Sequence, residues 1–283
     1  MDTEIVARVA LSLQHAPGSP HVAAEVRSRG AAAAQALQPA AAVWRRRADA
    51  VIEACGATDI AILVPGRAGW PTQLDQLAAP PLLLYCRGRP PRRALLRSVA
   101  IVGSRAATSA GRRVARGWAA TMAGWDFTIV SGGAYGIDAA AHAGALSAAG
   151  QSVAVLASGV DLPTPRGQAA LLEQLTANGA LLSEIPPGRR PTRNGFLVRN
   201  RLIAALAPVL VVVQAQQRSG ALATARRAMD LHRVVAAVPG PVGEDAHAGC
   251  HRLIRDGAAV LVTSPAEVAE LALPLGAALP DAS

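Results

Sequence analysis

Phe127-Thr128-Ile129-Val130-Ser131-Gly132-Gly133-Ala134-Tyr135-Gly136-Ile137-Asp138-Ala139-Ala140-Ala141-His142 is an apolar run that passes through glycines directly into a helical pattern. A buried strand that ends in bare glycines and reopens as a helix aims backbone N–H groups and the positive end of the helix dipole at one spot, an arrangement suited to phosphate. The same order recurs upstream, where Val99-Ala100-Ile101-Val102 predicts a strand, Gly103-Ser104-Arg105 its turn, and Thr108 or Ser109 the N-cap of the next helix. Two such turns in one α/β unit predict a polyanion site.

From Val99 onward strands are predicted near 99–102, 127–130, 152–157, 180–183, 209–213, 234–237 and 259–262, each separated from the next by one helix length. Val209-Leu210-Val211-Val212-Val213 is the clearest of several continuous apolar runs, which is what parallel strands covered on both faces require. The fold class is therefore α/β: a Rossmann-like, doubly wound, mostly parallel sheet. Residues 1–58 predict a small N-terminal helical appendage, with helices over 4–14, 20–29, 31–37 and 41–54 punctuated by Pro17-Gly18-Ser19-Pro20. Strands are also expected at 60–64 and 81–85; the Rossmann-like domain is expected over 59–273, with a tail at 274–283.

A chain of 283 residues that is 51% hydrophobic can bury one large core plus a small appendage. The formal charge is +9 and the sequence contains no lysine, so all 28 basic residues are arginines, whose planar fork pairs with phosphate and stacks on bases. The missing lysine excludes a Walker A loop, a pyridoxal Schiff base and a lysine general base. Cys55, Cys86 and Cys250 lie far apart and form no C-x-x-C pair, so neither a zinc site nor a disulfide framework is expected and a reducing cytoplasm fits best. Met1-Asp2-Thr3-Glu4 carries acids where a secretory signal would carry bases, and no apolar run reaches the roughly 20 residues of a membrane span. A soluble cytoplasmic protein with no membrane partner is expected.

Ligands of open parallel sheets sit outside the carboxyl ends of the strands. The candidates are accordingly Gly103-Ser104-Arg105, Gly132-Gly133 with Gly136 after them, Ser158-Gly159 running on to Arg166, Ser183-Glu184, Gln214 through Arg218-Ser219-Gly220, and Pro239-Gly240. Beside them lies Phe196-Leu197-Val198-Arg199-Asn200-Arg201. Arg105, Arg199, Arg201 and Arg218 are expected at a shared edge, where four cations repel one another unless an anion neutralises them. Phe196 is either a stacking platform for a base or an ordinary core residue. Asp138 and His142 read as a cap and a satisfied core histidine rather than a metal pair, and Glu184 as a partner for loop backbone or an arginine rather than a base. Arg45-Arg46-Arg47, Arg112, Arg113 and Arg116 read as solvated helix faces. Gly132-Gly133-Ala134-Tyr135-Gly136 is not G-x-G-x-x-G, which disfavours a dinucleotide. No catalytic residue, metal or cofactor is expected.

On these residues the chain resembles the DNA-processing protein A (DprA/Smf) family. The likeness runs through Val99 to Arg105, Ser131 to His142, Phe196 with Arg199-Asn200-Arg201, Arg218-Ser219-Gly220-Ala221-Leu222 with Thr224-Ala225, Val238-Pro239-Gly240, and Gly249 to Ala258. Upstream, Trp70-Pro71, Leu74 and Pro81 to Tyr85 extend it, so that it covers roughly residues 60–263. The resemblance implies a protein that binds single-stranded DNA without sequence preference, forms a homodimer and helps load a RecA-type recombinase in DNA uptake, natural transformation and recombination. It implies no catalysis. It also implies that Gly103, Ser104, Arg105, Arg199, Asn200 and Arg201 grip phosphates, that Phe196 contacts a base, and that Arg166 takes the place of a basic residue after a Tyr-Pro pair. The chain departs from the family pattern at Thr164, Leu197, Gly133 and Gln214, where Tyr, Pro, Leu and Glu are usual, and its end soon after Leu271 leaves no space for the winged-helix module many members carry. A rival reading is a nucleotide-processing enzyme similar to the LOG-type phosphoribohydrolases; Ser131 before the glycines, Tyr135-Gly136 in place of Gly-Thr, and Asp138 as the nearest acid depart from that family's P-G-G-x-G-T loop.

Overall fold

A computed structural model describes residues 2–90 and 93–273; the expected tail at 274–283 lies outside the described residues. The chain opens with α1 (Thr3–Gln14), α2 (Pro20–Arg29), α3 (Ala31–Ala36) and α4 (Ala41–Ala57), then β1 (Ile60–Leu63) and β2 (Leu84–Gly88). The alternating part follows as β3 (Ser98–Gly103), α5 (Ser109–Gly124), β4 (Thr128–Ser131), α6 (Ile137–Ser147), β5 (Ser152–Val155), α7 (Ala169–Asn178) and β6 (Ala180–Ser183). It continues with α8 (Arg193–Leu206), β7 (Val209–Gln214), α9 (Gly220–Asp230), β8 (Val234–Ala237), α10 (Ala248–Arg255), β9 (Val260–Leu261) and α11 (Pro265–Ala272).

All nine of these strands form one sheet in the order β1-β2-β6-β5-β4-β3-β7-β8-β9. Every pair from β6 to β9 is parallel, while β1–β2 and β2–β6 are antiparallel. The mostly parallel, doubly wound sheet is the architecture expected from the apolar runs. Two strands differ from expectation by more than one residue at an end: the one predicted at 152–157 stops at Val155, and the one predicted at 81–85 begins only at Leu84 and reaches Gly88, pairing Tyr85 with Ser183 and Gly88 with Ala180. Pro80 and Pro81 immediately upstream have no N–H to give a ladder.

Alternation along β3 explains the layers. Val99 and Ile101 pack with α5 and α6 on one face, together with Met122 and Ile137. Ala100 and Val102 pack on the other face with Leu202, Ile203 and Leu222 of α8 and α9. The central strands are buried along their length, and each fully buried Val, Leu or Ile contributes about 1.5–3 kcal/mol relative to exposure. The N-terminal helices share a small cluster of Ala7, Leu11, Val22, Ala31 and Ala34, and α1 and α4 also pack on Ile60 and Tyr85. Among the described residues no helix is long and apolar enough to cross a membrane.

His142 is sealed between α6 and the sheet, as a core histidine should be. Its Nδ1 lies 2.8 Å from Ser152 Oγ, which itself donates to the carbonyl of Ile129 at 3.0 Å. Because the serine proton goes to that carbonyl, Nδ1 carries the histidine's proton, and Nε2, buried with no partner for a second N–H, leaves the ring neutral. Burial first, and then the nearby positive charge of Arg199, depress its pKa to about 3 from 6.5. The folded pKa lies below the unfolded one, so the stability from this group is full above pH 6.5 and falls away as pH drops below it. Between about pH 7.5 and about pH 5 the group should cost roughly 2 kcal/mol of unfolding free energy. Urea denaturation at the two pH values should show that loss, and His142→Gln should show a correspondingly flatter pH dependence; equal slopes in both proteins would refute the neutral buried assignment.

Candidate nucleic-acid interface

Strand order reverses between β3 and β7, and the loops after these strands open into one cleft. Gly103, Ser104 and Arg105 after β3, Ala134 and Asp138 around the start of α6, Arg193, Phe196, Leu197, Arg199, Asn200 and Ile203 of α8, and Gln216, Ser219, Gly220 and Thr224 at the head of α9 line it. A switch point is where an open α/β sheet leaves room for a ligand.

The turn after β3 is held from two sides. Ser104 N–H donates to the carbonyl of Gln214 at 2.7 Å, and the Ser104 carbonyl accepts from Ile137 N–H at 3.2 Å. Gly136, at φ +79°, makes the second contact possible, since a Cβ there would sit 2.2 Å from Ser104 O. Thr108 caps α5 by accepting from Gly111 N–H. Gln214 secures that cap: its Oε1 accepts from Thr108 N–H at 2.9 Å, and its Nε2 donates to Thr108 Oγ1 at 3.0 Å and to His247 Nε2 at 2.9 Å. A glutamate, usual here in the resembled family, has no N–H for the last two bonds. The departure at Gln214 thus belongs to a local network with His247.

Arg105 is exposed and its guanidinium lies over the Phe196 ring, 5.0 Å from the centroid. Phe196 is half-buried and stands outside the core clusters, which removes the ordinary-core alternative. The arginines expected to act together do not share one environment. Arg199 is buried: its Nη1 donates to the carbonyl of Gly132 at 2.7 Å and to that of Val155, the last residue of β5. Gly132 is required because a Cβ there would lie 2.2 Å from that nitrogen. Burial brings the Arg199 pKa down to about 10, with Asp138 opposing and Arg105 adding to the shift, so the group stays a cation at neutral pH. Arg201 pairs with Glu184 at 2.5 Å and donates to Ala79 O at 3.0 Å; both charged side chains are mostly buried. Glu184 is thus an arginine partner, as its position suggested.

The expected set of four free cations therefore resolves into two engaged arginines and two exposed ones, Arg105 and Arg218. Gly132, Gly136, Arg201 and Arg218 border the cleft's supports without lining it, and Arg166 stands apart before α7. Asp138 is buried; its Oδ2 accepts from Ala134 N–H at 3.3 Å, and burial raises its pKa against the pull of Arg199. Asp138 therefore ties down the loop before α6 rather than capping the helix, whose N-cap Gly136 receives no side-chain bond, and this leaves the nearest acid facing the loop. Sequence reading missed Arg193, and named Gln216 and Thr224 only inside longer runs, with no role of their own. Arg193 could have been found at one helical turn before Phe196 and two before Asn200. Among the described residues no group of three or more His, Cys, Asp or Glu could hold a metal ion.

Fold and site together define a doubly wound, Rossmann-like α/β protein with an arginine-rimmed cleft at its switch point. The chain belongs to the DNA recombination-mediator protein A family, whose model matches residues 61–272. Protein Smf of Escherichia coli is 45% identical over 173 residues, covering 61% of this chain and 46% of its own. DNA processing protein DprA of Streptococcus pneumoniae is 38% identical over 201 residues, covering 70% of each. The chain spans about half the length of several of these relatives, including 44% of a DprA relative from Mycobacterium tuberculosis that is 55% identical over 174 residues. The X-ray structure of the S. pneumoniae protein superposes with a TM-score of 0.78 at 29% identity, covering 95% of this chain and 97% of that one. DprA from Helicobacter pylori, whose structure is described as revealing a single-stranded DNA binding mode, superposes with a TM-score of 0.67 at 28% identity over 75% of this chain and 94% of that one.

Different environments separate the arginines experimentally. Arg199→Ala should remove about 3 kcal/mol of stability by stranding two strand-end carbonyls and opening space beneath α8, a fall in Tm of roughly 5–10 °C. Arg105→Ala should stay within about 0.5 kcal/mol of the parent. Thermal melts of the two variants check this, and an Arg199→Ala protein that melts with the parent would refute the structural role.

Proposed function

We propose that this protein binds single-stranded DNA without sequence preference in the switch-point cleft, and that it acts in DNA processing during uptake, transformation and recombination as a homodimer that helps load a RecA-type recombinase. The observation that carries the reading is the Arg105–Phe196 stack at the mouth of a cleft whose exposed cations have no acidic partner among the described residues. A guanidinium held over a ring by its carbon keeps N–H groups for a phosphate, and the aromatic surface beside it suits an unpaired base. Family membership and the likeness to the H. pylori protein support the choice of ligand.

In this reading Arg105 and Arg193 neutralise phosphates, with Arg218 and Arg166 further along the strand. The Gly103–Ser104 turn and the Ser219-capped start of α9 offer main-chain and hydroxyl groups. Asn200 supplies a polar contact from α8. Gly132, Gly136, Arg199 and Arg201 act by holding those elements in place. No cofactor and no chemical step on the nucleotide are required.

Titration with single-stranded DNA, duplex DNA and mononucleotides at two salt concentrations tests this. Single strands should bind best, with log K falling about 0.7 per log unit of salt for each phosphate neutralised, hence roughly 2–3.5 for three to five contacts. Arg105→Ala should lower the slope by about 0.7, whereas Phe196→Ala should cost about 1–3 kcal/mol of binding with the slope unchanged, because stacking releases no counterions. Salt-independent binding, a duplex preference, or turnover of a nucleoside monophosphate would overturn the proposal.

A further inference from the structure

Beyond the Gly136 turn lies a second depression that shares none of the cleft's lining residues. Gly136, pressed against Ser104 and Arg105, also borders a shallow groove between α5 and α6 whose walls carry Arg112, Arg113 and Arg116 on one side and Gln168 and Leu171 on the other. Arg112 and Arg116 stand four residues apart on α5 and Arg113 and Arg116 three, spacings at which like charges cost a helix about 0.2–0.5 kcal/mol per pair. Helix α5 contains no acidic residue to offset them. Arg112 donates to the carbonyl of Ala107, but Arg113 and Arg116 are exposed and have neither an ion pair nor a side-chain hydrogen bond among the described residues. At the β1–β2 end of the sheet the arginines are treated differently: Arg8 pairs with Glu4, Arg67 with Asp2 and Arg87 with Glu173.

The far wall explains a residue the cleft leaves out. Arg166 opens the short helical turn Arg166–Gln168, so it lies at the end of this groove rather than in the cleft. Tyr135, exposed, stands between the two, with its hydroxyl 2.4 Å from where a Cβ on Gly167 would be. Gly136 thus meets Arg105 and also borders the arginine-bearing face of α5, and the exposed Tyr135 ring next to it reaches Gly167, the neighbour of the exposed Arg166.

We infer that the α5–α6 groove is a second single-strand subsite: a strand leaving the cleft past Arg105 runs along it and places phosphates on Arg113 and Arg116 before reaching Arg166. The inference rests on the cleft being the primary site. It makes the bound strand longer than the cleft alone can hold, and gives Arg113 and Arg116 of α5 a ligand instead of solvent.

Oligothymidines of about 5 nucleotides, filling the cleft, and about 25, reaching the groove, separate the two sites by fluorescence anisotropy over a salt series. The unaltered protein should show a steeper salt slope on the long strand. Arg113→Ala/Arg116→Ala should lower that slope by about 1.4, two phosphates' worth, and leave the short strand unaffected. Arg113→Lys/Arg116→Lys should restore the long-strand slope, and Arg105→Ala should weaken both strands. A double alanine variant with the parental slope on the long strand overturns the groove subsite while leaving the cleft intact. Failure of the unaltered protein to bind either strand overturns the cleft, and the groove with it.

Discussion

The ligand edge of this protein depends on one buried cation. Taking a guanidinium out of water costs several kcal/mol unless its N–H groups are met, and in the Arg199 side chain Nη1 meets main-chain carbonyls at the ends of two neighbouring strands while the buried Nε has no hydrogen-bond partner. The bond to Val155 O ties α8 to β5; the bond to Gly132 O ties it to the loop after β4. Because α8 is rigid, fixing Arg199 also fixes Phe196 one turn earlier and Arg193 another turn before that. A single internal contact thereby sets the position of a helix whose outer residues are the site.

The second support is the β3–β7 junction. Ser104 N–H reaches across to Gln214 O, and the ladder shifts register between Val102 and Gly103 as it does so. This kink turns Arg105 out of the sheet and over Phe196. Arg105 is thus held by the sheet on one side and by an aromatic ring on the other, which restricts a long side chain before any ligand arrives and lowers the entropy it loses on binding.

Much of this was legible beforehand. Apolar runs of four to six residues separated by helix-length segments identify a parallel sheet because burial on both faces leaves no other pattern, and the glycine turns after Val102 and Ser131 mark its ligand edge. What the sequence could not separate was the direction in which arginines point. Arg199 and Arg201 are two residues apart and so face different sides of α8, and neither partner leaves a mark nearby: one is a backbone carbonyl available at any residue, the other is Glu184, seventeen positions away in sequence. Gln216 and Thr224 stood only inside longer runs because they reach the cleft through a loop and a helix turn whose path depends on the packing of α9.

The amide of Gln214 has a consequence for how the loops around it hold together. Its two donated bonds commit it to Thr108 and His247 at once, so one side chain on β7 braces both the residue ahead of α5 and the residue ahead of α10. A glutamate at this position would accept where the amide donates, from the Thr108 hydroxyl and from a histidine proton moved to Nε2, so the exchange reverses both bonds while the Thr108 N–H keeps its acceptor. Shortening the side chain at 214 would loosen two loops at once.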